Sequence, residues 1–195
     1  MSKKYYRFFG GLLTAQEHWL NKIAEKGYRL IRVEKMLYEF KECEPDQVKY
    51  CVEFIGQKSK AGASDYSEFL EEMGYKVFCK NINLNYSVVK VRWRPWAEKG
   101  GRIATNATTF NKELLIVEKE NDGKPFELHT SYEDRATYYS NLRNPWLLIL
   151  LMFTIFAVVN HSAGFGVLAL ISLIPVLIYQ IQIMQNKREG KTKEW

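Results

Sequence analysis

One stretch of the chain combines cations and aromatic rings at a spacing that suits an anionic ligand. Residues 89–96 read VKVRWRPW, and if this stretch is a β-strand, its cations alternate onto one face. The candidate residues for binding an anionic ligand or a lipid headgroup are Lys90, Arg92, Arg94, Lys99 and Arg102. The candidate aromatic interface consists of Trp93, Trp96 and Trp146. Anionic lipid is the favoured partner, because each cation near such a surface contributes about 1 kcal/mol.

Two other interpretations of this basic, aromatic stretch stay open. Aromatic rings interleaved with arginines can stack on nucleic-acid bases, although nucleic acid is the less favoured partner. A solvated strand face whose tryptophans pack in the core explains the same pattern without any ligand. The spacing therefore marks a candidate site and does not by itself identify the ligand.

The remaining polar residues offer little for catalysis. The three cysteines form no CxxC pair, and the three histidines belong to no HExxH, nucleophile-elbow or triad pattern. Four acidic residues on a predicted helix fit a solvated face better than a metal site; they are Asp65, Glu68, Glu71 and Glu72. We therefore predict no catalytic residue, no metal and no cofactor, and we favour a protein that is not an enzyme.

The C-terminal part of the chain has the composition of a membrane segment. No Asp, Glu, Lys or Arg occurs between Arg143 and Lys187, and this window contains two apolar runs, 145–159 and 163–179, joined by a polar turn. Because a helix needs roughly 20 residues to cross a bilayer, the window fits two short spans. We predict a transmembrane hairpin; the alternative is a buried hairpin of a soluble protein, whose core here is too small to cover both helices.

Charges outside this window predict its orientation. Arg135 and Arg143 precede the first span and four Lys or Arg residues follow the second, whereas the turn has none. By the positive-inside rule, both termini of a multi-pass cell-membrane protein then face the cytoplasm. The spans carry no charged side chain that could move ions or protons, which argues against a transporter or channel.

Residues before the membrane segment alternate between strand and helix patterns. Two helices are predicted; a capping box of Thr14 and Glu17 begins the first, and Gly27 and Gly74 end the first and second. Strands are predicted at 5–9, 28–33, 36–40, 48–55 and from 77. The order β-α-β-β-α-β predicts an α+β domain with a ferredoxin-like topology. The Gly-Tyr pair after each helix indicates a weak internal repeat.

The residues closest to the membrane segment form a further group of predicted elements. A β-hairpin is predicted from strands at 113–120 and 126–129, joined by the turn Asn121-Asp122-Gly123. An amphipathic helix carrying Tyr138, Tyr139 and Leu142 is predicted to continue into the first span. The predicted segments are the α+β core at 1–80, a basic aromatic insertion at 81–112, the hairpin and helix at 113–143, the membrane hairpin at 144–186 and a basic tail at 187–195.

Spaced aromatic and acidic motifs resemble a known family. They are Tyr6-Arg7-Phe8-Phe9, Glu17-x-Trp19-Leu20, Gly27-Tyr28-x-Leu30, Tyr50-x-Val52-Glu53-Phe54 and Phe69-Leu70-Glu71-Glu72-x-Gly74-Tyr75. Over about residues 4–80, and more loosely near 126–141, the chain resembles the bacterial domain-of-unknown-function family numbered 2812. The resemblance implies a domain in front of membrane helices, often beside PadR-type regulators, and supplies no catalytic residues. Residues 81–112 depart from the family pattern.

These observations favour a membrane-anchored, non-enzymatic regulatory or sensory module. Its cytoplasmic domain would bind a protein partner or a second copy of itself. Two alternatives stay open: an enzyme or binding protein that holds an anionic lipid or small anion with residues 90–102, and a structural subunit of a membrane assembly. A protein partner or homo-oligomer is expected in the first case, and anionic lipid in the second.

Overall fold

A computed structural model of the chain describes residues 2–84, 86–88, 91–94, 97, 103–104, 112–126, 128 and 132–193. The chain divides into two compact units, Met1–Leu128 and His129–Trp195. The first unit mixes helices with antiparallel sheets, and the second contains two long apolar helices. The predicted α+β class with a C-terminal pair of long apolar helices is therefore confirmed.

The described residues of the first unit form three sheets of three strands each, the third of them small. In chain order its elements are β1 (Ser2–Tyr6), α1 (Leu13–Ala24), β2 (Tyr28–Val33), β3 (Leu37–Glu42), β4 (Val48–Phe54), α2 (Lys60–Glu72), β5 (Lys76–Lys80), β6 (Tyr86–Val88), β7 (Val91–Trp93), β8 (Ile103–Ala104) and β9 (Leu114–Glu120). Sheet A has the order β1-β3-β2, sheet B the order β4-β9-β5, and sheet C the order β6-β7-β8.

Sheets A and B are two versions of the same β-α-β-β unit, each with its last strand in the middle. Gly27 and Gly74 follow the two helices with φ of 79° and 85°, a left-handed conformation that glycine adopts without steric cost. The weak repeat in the sequence reflects this duplication. The ferredoxin-like topology is not confirmed, because β5 pairs with β9 in sheet B and does not join β1 in one common sheet.

Strand β9 lies in the middle of sheet B, and of the second strand of the hairpin predicted at 113–129 the structure describes only Phe126 and Leu128. Antiparallel pairing with β4 on one edge and with β5 on the other leaves β9 no edge for a third partner. Phe126 and Leu128 are not in strands, and they pack against the core between α2 and sheet B. The turn before them does form, since Gly123 N–H donates to Asn121 Oδ1 at 3.0 Å.

Helix α1 packs on sheet A through aromatic rings. The Trp19 ring lies edge-on to Tyr38 and Phe40, with centroids 5.0 and 5.7 Å away, and the two partners are fully buried. Tyr5 and Phe9 contact the same indole at 6.0 and 5.5 Å. This cluster holds one face of sheet A against α1.

The opposite side of α1 covers the outer edge of β4. Asn21 Oδ1 accepts from Tyr50 N–H at 2.8 Å, its Nδ2 donates to Tyr50 O at 2.9 Å, and Glu17 Oε2 accepts from Val52 N–H at 2.9 Å. An uncovered edge would offer these groups to another strand. The predicted capping box is therefore wrong: α1 begins at Leu13 without a side-chain cap, and the Glu17 carboxylate accepts a hydrogen bond from β4 instead.

The duplicated glycines give a matched pair of substitutions. Both would force a left-handed backbone on alanine, at a cost of about 1–2 kcal/mol. A Cβ at Gly27 would also lie 2.9 Å from the Cys43 carbonyl oxygen, whereas one at Gly74 meets nothing within 4 Å. We expect Gly27→Ala to lower the free energy of unfolding by at least about 1 kcal/mol more than Gly74→Ala. Denaturant unfolding of the full chain in detergent measures the difference; equal costs would contradict the close approach.

The second unit is a helical hairpin of α3 (Tyr132–Val159) and α4 (Ala163–Lys193). Residues 160–162 form the turn, as predicted, with His161 at a φ of 47°. The predicted helix carrying Tyr138, Tyr139 and Leu142 runs into the first apolar stretch without a break. Phe165 stacks on Phe153 near the turn, with centroids 6.3 Å apart.

The two helices of the hairpin pack along a seam far from the turn. On α4 the buried residues recur at intervals of four and three; they are Ser172, Val176, Tyr179, Ile183 and Asn186. This spacing is typical of helices that pack with knobs in holes. On α3, Tyr139 and Leu142 are buried, and Arg143 Nη1 donates to Gln180 Oε1 at 2.6 Å. Packing and this hydrogen bond fix the register of the helices.

Candidate functional site

The structure describes only part of the predicted basic, aromatic site. Lys90, Trp96, Lys99 and Arg102 lie outside the described residues, and of Arg92 only the backbone is described, opposite Ser87 and Ala104 in sheet C. The described members are Trp93, which is exposed, Arg94, which is buried, and Trp146, which is partly exposed on α3. The predicted row of cations therefore stays a prediction for four of its five members.

Arg94 differs from the sequence-based expectation of a solvent-facing cation. The whole residue is only 3% exposed. Burial lowers the pKa of its guanidinium, and the Glu113 carboxylate, which is fully buried, acts in the opposite direction. Arg94 thus contributes charge to the interior of the first unit, where a lipid headgroup has no direct access to it.

Glu113 also faces a buried lysine that the sequence analysis missed. Lys80 Nζ donates to Lys35 O at 2.6 Å and to Asn81 O at 3.0 Å, and it lies 5.4 Å from the Tyr38 ring centroid. Burial lowers the pKa of this ammonium to about 8, with Glu113 acting to raise it. Because the donors are committed to backbone carbonyls, Lys80 ties the end of β5 to the loop between β2 and β3.

The lowered pKa of Lys80 predicts a pH dependence of stability. Its pKa is about 8 in the folded chain against a usual 10.5, so the folded state releases its proton first. Below pH 8 both states hold the proton and burial of the charge is unfavourable; between pH 8 and 10.5 this cost disappears. Relative to Lys80→Met, the wild-type chain should gain about 2–3 kcal/mol over that range.

Thermal unfolding of both proteins across that pH range measures the Lys80 effect. The exposed Lys76→Met variant, in the same strand, serves as the control and should track the wild type at every pH. A constant difference between wild type and Lys80→Met would show that the ammonium is not destabilised by burial.

A second buried network centres on Glu118 in β9. Its Oε1 accepts from Arg29 Nε at 2.7 Å and Nη2 at 2.6 Å, and its Oε2 accepts from the Tyr50 hydroxyl at 2.7 Å. The same hydroxyl accepts from Leu30 N–H at 2.7 Å. The hydrogen bond to Glu118 raises the pKa of Arg29, and burial raises that of Tyr50. This network joins β2 of the first repeat to β4 and β9 of the second.

A cleft with a volume of about 360 Å³ lies beside this network. Its charged lining comprises Arg29, Lys76, Lys119, Glu118, Glu120 and Asp122. Positive and negative groups are equal in number, and Lys119 Nζ already pairs with Asp122 at 2.9 Å. Such a lining favours neither an anionic nor an apolar ligand. The cleft is better explained by the contact between repeats than by catalysis.

A larger groove, with a volume of about 540 Å³, lies within the second unit, between the start of α3 and the end of α4. Two of its polar side chains are used by their own helices: Ser140 Oγ donates to Ala136 O at 2.9 Å, and Asn186 Nδ2 donates to Gln182 O at 2.8 Å. A Cβ on Gly190 would lie 3.3 Å from Tyr132 Cβ, so the helices approach closely at one end of the groove.

Acidic side chains do not converge on a metal site in the described part of the chain. No group of three His, Cys, Asp or Glu residues there could hold a metal ion. The acidic residues of α2 that the sequence singled out, Asp65, Glu68, Glu71 and Glu72, are all exposed, and Ser64 Oγ donates to Glu68 at 3.3 Å. Their placement is that of a solvated helix face.

Comparison with known families finds a match. A family model described as "Protein of unknown function (DUF2812)" matches residues 13–151, well over half of the chain. The chain belongs to the DUF2812 family. The matched range begins with α1, includes residues 81–112 and ends in the apolar part of α3. No curated protein and no solved structure matches the chain. The DUF2812 description names no activity, so function has to be argued from the surfaces and charges above.

Proposed function

We propose that this DUF2812 protein is a membrane-anchored, non-enzymatic regulatory or sensory module. In this proposal α3 and α4 cross the membrane as a hairpin, both termini are cytoplasmic, and the first unit presents a surface to a protein partner. The observation that carries the proposal is the bare apolar surface of the hairpin. The proposed partner-binding surface is inferred from the exposed face of α2.

The hairpin exposes apolar side chains that a soluble helix would bury. Only 6% of the apolar window of α3 and 22% of that of α4 is buried. Exposed apolar residues cover the outward face of both helices near the turn; they include Leu151, Ile155, Val158, Val159, Val167, Leu170, Ile171 and Ile174. A helix that is apolar on every face suits lipid, because hydrocarbon chains cover each side equally.

The distribution of charge supports an orientation for these helices. Arg143 precedes the apolar stretch of α3, Lys187 and Arg188 follow that of α4, and the turn at 160–162 carries no Lys or Arg. Positive charge favours the cytoplasmic side of each span. The hairpin would therefore hold the first unit in the cytoplasm, close to the membrane.

Helix α2 has the composition of a binding surface on its outward face. Phe69 and Met73, one helical turn apart, are 47% and 52% exposed. Asp65, Glu68 and Glu72 lie around them and are also exposed. Apolar anchors within a polar rim are typical of protein interfaces, and the acidic rim favours a basic partner. A second copy of the chain is the other occupant that the proposal allows.

Co-purification tests the proposal. Tagged full-length protein, extracted in mild detergent and crosslinked beforehand, should retain a stoichiometric partner or its own copy. The double substitution Phe69→Ser and Met73→Ser should weaken retention by at least about tenfold, because it removes the central apolar contact. The control is Ile103→Ser, which removes an exposed apolar side chain on β8 and should retain the partner. Recovery of a lone monomer under all conditions, or equal loss in both variants, would contradict the proposal.

A further inference from the structure

Sheet A has an outer face that α1 does not cover. Tyr5 on β1, and Arg7 and Phe9 just after it, turn toward α1, since each lies within 6.0 Å of the Trp19 ring centroid. Side chains alternate along a strand, so Tyr6, the last residue of β1, points to the opposite side. Tyr6 is 75% exposed, and Phe8, which follows the strand, is 53% exposed. Two large exposed aromatic side chains therefore lie at the end of β1.

Neighbouring strands extend this apolar area. Tyr6 pairs with Leu37 across β1 and β3, and Arg7 N–H donates to Met36 O at 2.9 Å. Met36 is exposed in the turn between β2 and β3, and Ile31 is exposed on β2. Single exposed apolar residues are ordinary, but a contiguous group of this kind marks a surface with an occupant.

Cations surround this apolar area and suggest what occupies it. Lys4 and Lys41 lie on the outer face by their register, Lys35 adjoins Met36, and all three are exposed. Two exposed or partly exposed carboxylates oppose this charge: Glu39 lies 4.0 Å from Lys4, and Glu34, which bonds to Leu37 through its backbone, pairs with Arg32. They offset only part of it. Exposed tyrosine and phenylalanine beside lysines form the surface chemistry that anionic lipid interfaces attract.

The exposed apolar patch at the end of α2 carries the opposite charge to the one on sheet A. Phe69 on α2 and Met73 at its C-terminal cap are exposed to a similar degree, but Asp65, Glu68 and Glu72 lie around them. An anionic membrane repels that patch and attracts the one on sheet A. The first unit thus carries two apolar surfaces of opposite local charge.

We propose that the end of sheet A that carries Tyr6, Phe8 and Met36 rests on the anionic lipid surface of the membrane. Lysines contact lipid phosphates there, and the aromatic rings enter the headgroup layer. This contact goes beyond anchoring by the hairpin, because it orients the first unit and leaves the α2 face free. It relies on the proposed anchoring only to bring the first unit near the bilayer.

The test uses the full chain in lipid nanodiscs with an environment-sensitive fluorophore at one cysteine. Cys43 and Cys79 are replaced by serine, and the label is placed at Phe8→Cys or, as the control, at Phe69→Cys. Discs contain either phosphatidylcholine alone or a mixture with phosphatidylglycerol, and brominated lipids serve as quenchers. Circular dichroism verifies that both labelled proteins are folded.

In anionic discs we expect the label at position 8 to shift to the blue and to be quenched about tenfold more strongly than the label at position 69. This quenching should decrease in phosphatidylcholine discs and in the double variant Lys4→Glu with Lys35→Glu. It should also decrease in 1 M salt, because the Debye screening length there is only about 3 Å. Equal quenching at both positions, or none at position 8, would overturn the proposal. Co-elution of protein with the discs reports the anchoring separately, so the two proposals can fail independently.

Discussion

Replacement of Glu118 by alanine is expected to lower the free energy of unfolding of the first unit by about 3 kcal/mol. Glu118 is 1% exposed and accepts hydrogen bonds from both Arg29 and Tyr50. Its removal leaves a buried hydroxyl without its acceptor and a partly buried guanidinium without its carboxylate. The larger share comes from the interior, because Arg29 is 30% exposed and water can replace part of its contact.

Denaturant unfolding of the full chain in mild detergent, followed by tryptophan fluorescence, measures this cost. Glu120→Ala is the matched control, because Glu120 lies two residues further along β9 and is exposed. The control should stay within about 0.5 kcal/mol of wild type. If Glu118→Ala were as mild as its control, the network joining the two repeats would not be a main source of stability.

A second large effect is expected in the hairpin. Ile171 lies near the middle of the second apolar run and is 56% exposed. Ile171→Arg should reduce membrane insertion, since an arginine at the centre of a span costs about 2.5–3.5 kcal/mol. On a solvent-exposed helix face the same substitution would be harmless. Exposure of the side chain therefore makes this variant a test of the surrounding medium.

The fraction of protein that resists alkaline carbonate extraction from membranes gives the readout for Ile171→Arg. Met184→Arg is the control on the same helix, because Met184 is also exposed but lies beyond the apolar run, near Lys187. The control should stay in the membrane fraction, where its long side chain reaches the headgroups. Equal extraction of both variants would speak for an aqueous environment around α4.

Local chemistry made parts of this fold predictable from sequence. Gly27 and Gly74 identify the two helix ends, because a left-handed turn requires a residue without a Cβ. The apolar runs and the turn at 160–162 were equally clear, since composition and length alone decide whether a helix can span a bilayer. These features depend on residues close together in the chain.

Pairing over longer distances was not predictable in the same way. Strand β9 begins at Leu114, whereas its neighbour β5 ends at Lys80, and nothing local shows that β9 inserts between β4 and β5. Glu17 illustrates the same limit. Its spacing to Thr14 suits a helix cap, but its carboxylate accepts a hydrogen bond from Val52 N–H at the edge of β4 instead. Tertiary contacts prevailed over a local preference at this position.

In the candidate site, too, local sequence patterns identified single residues but not their distant partners. The sequence found Arg94 through its aromatic neighbours but gave no sign that Glu113 lies beside it in the interior. Glu118 did carry a signal, since it follows four consecutive apolar residues in β9 and such a strand is usually buried on both faces. A carboxylate in that setting indicates a buried partner, which the structure identifies as Arg29.

The central claim is that α3 and α4 cross the membrane and return, and labelling of single cysteines tests it most directly. His161→Cys and Lys191→Cys are compared in a background in which Cys43, Cys51 and Cys79 are replaced by serine. A membrane-impermeant maleimide is applied to intact cells and then to permeabilised ones. The account predicts that position 161 reacts from outside intact cells and that position 191 reacts only after permeabilisation. Reaction of both positions only after permeabilisation would contradict it.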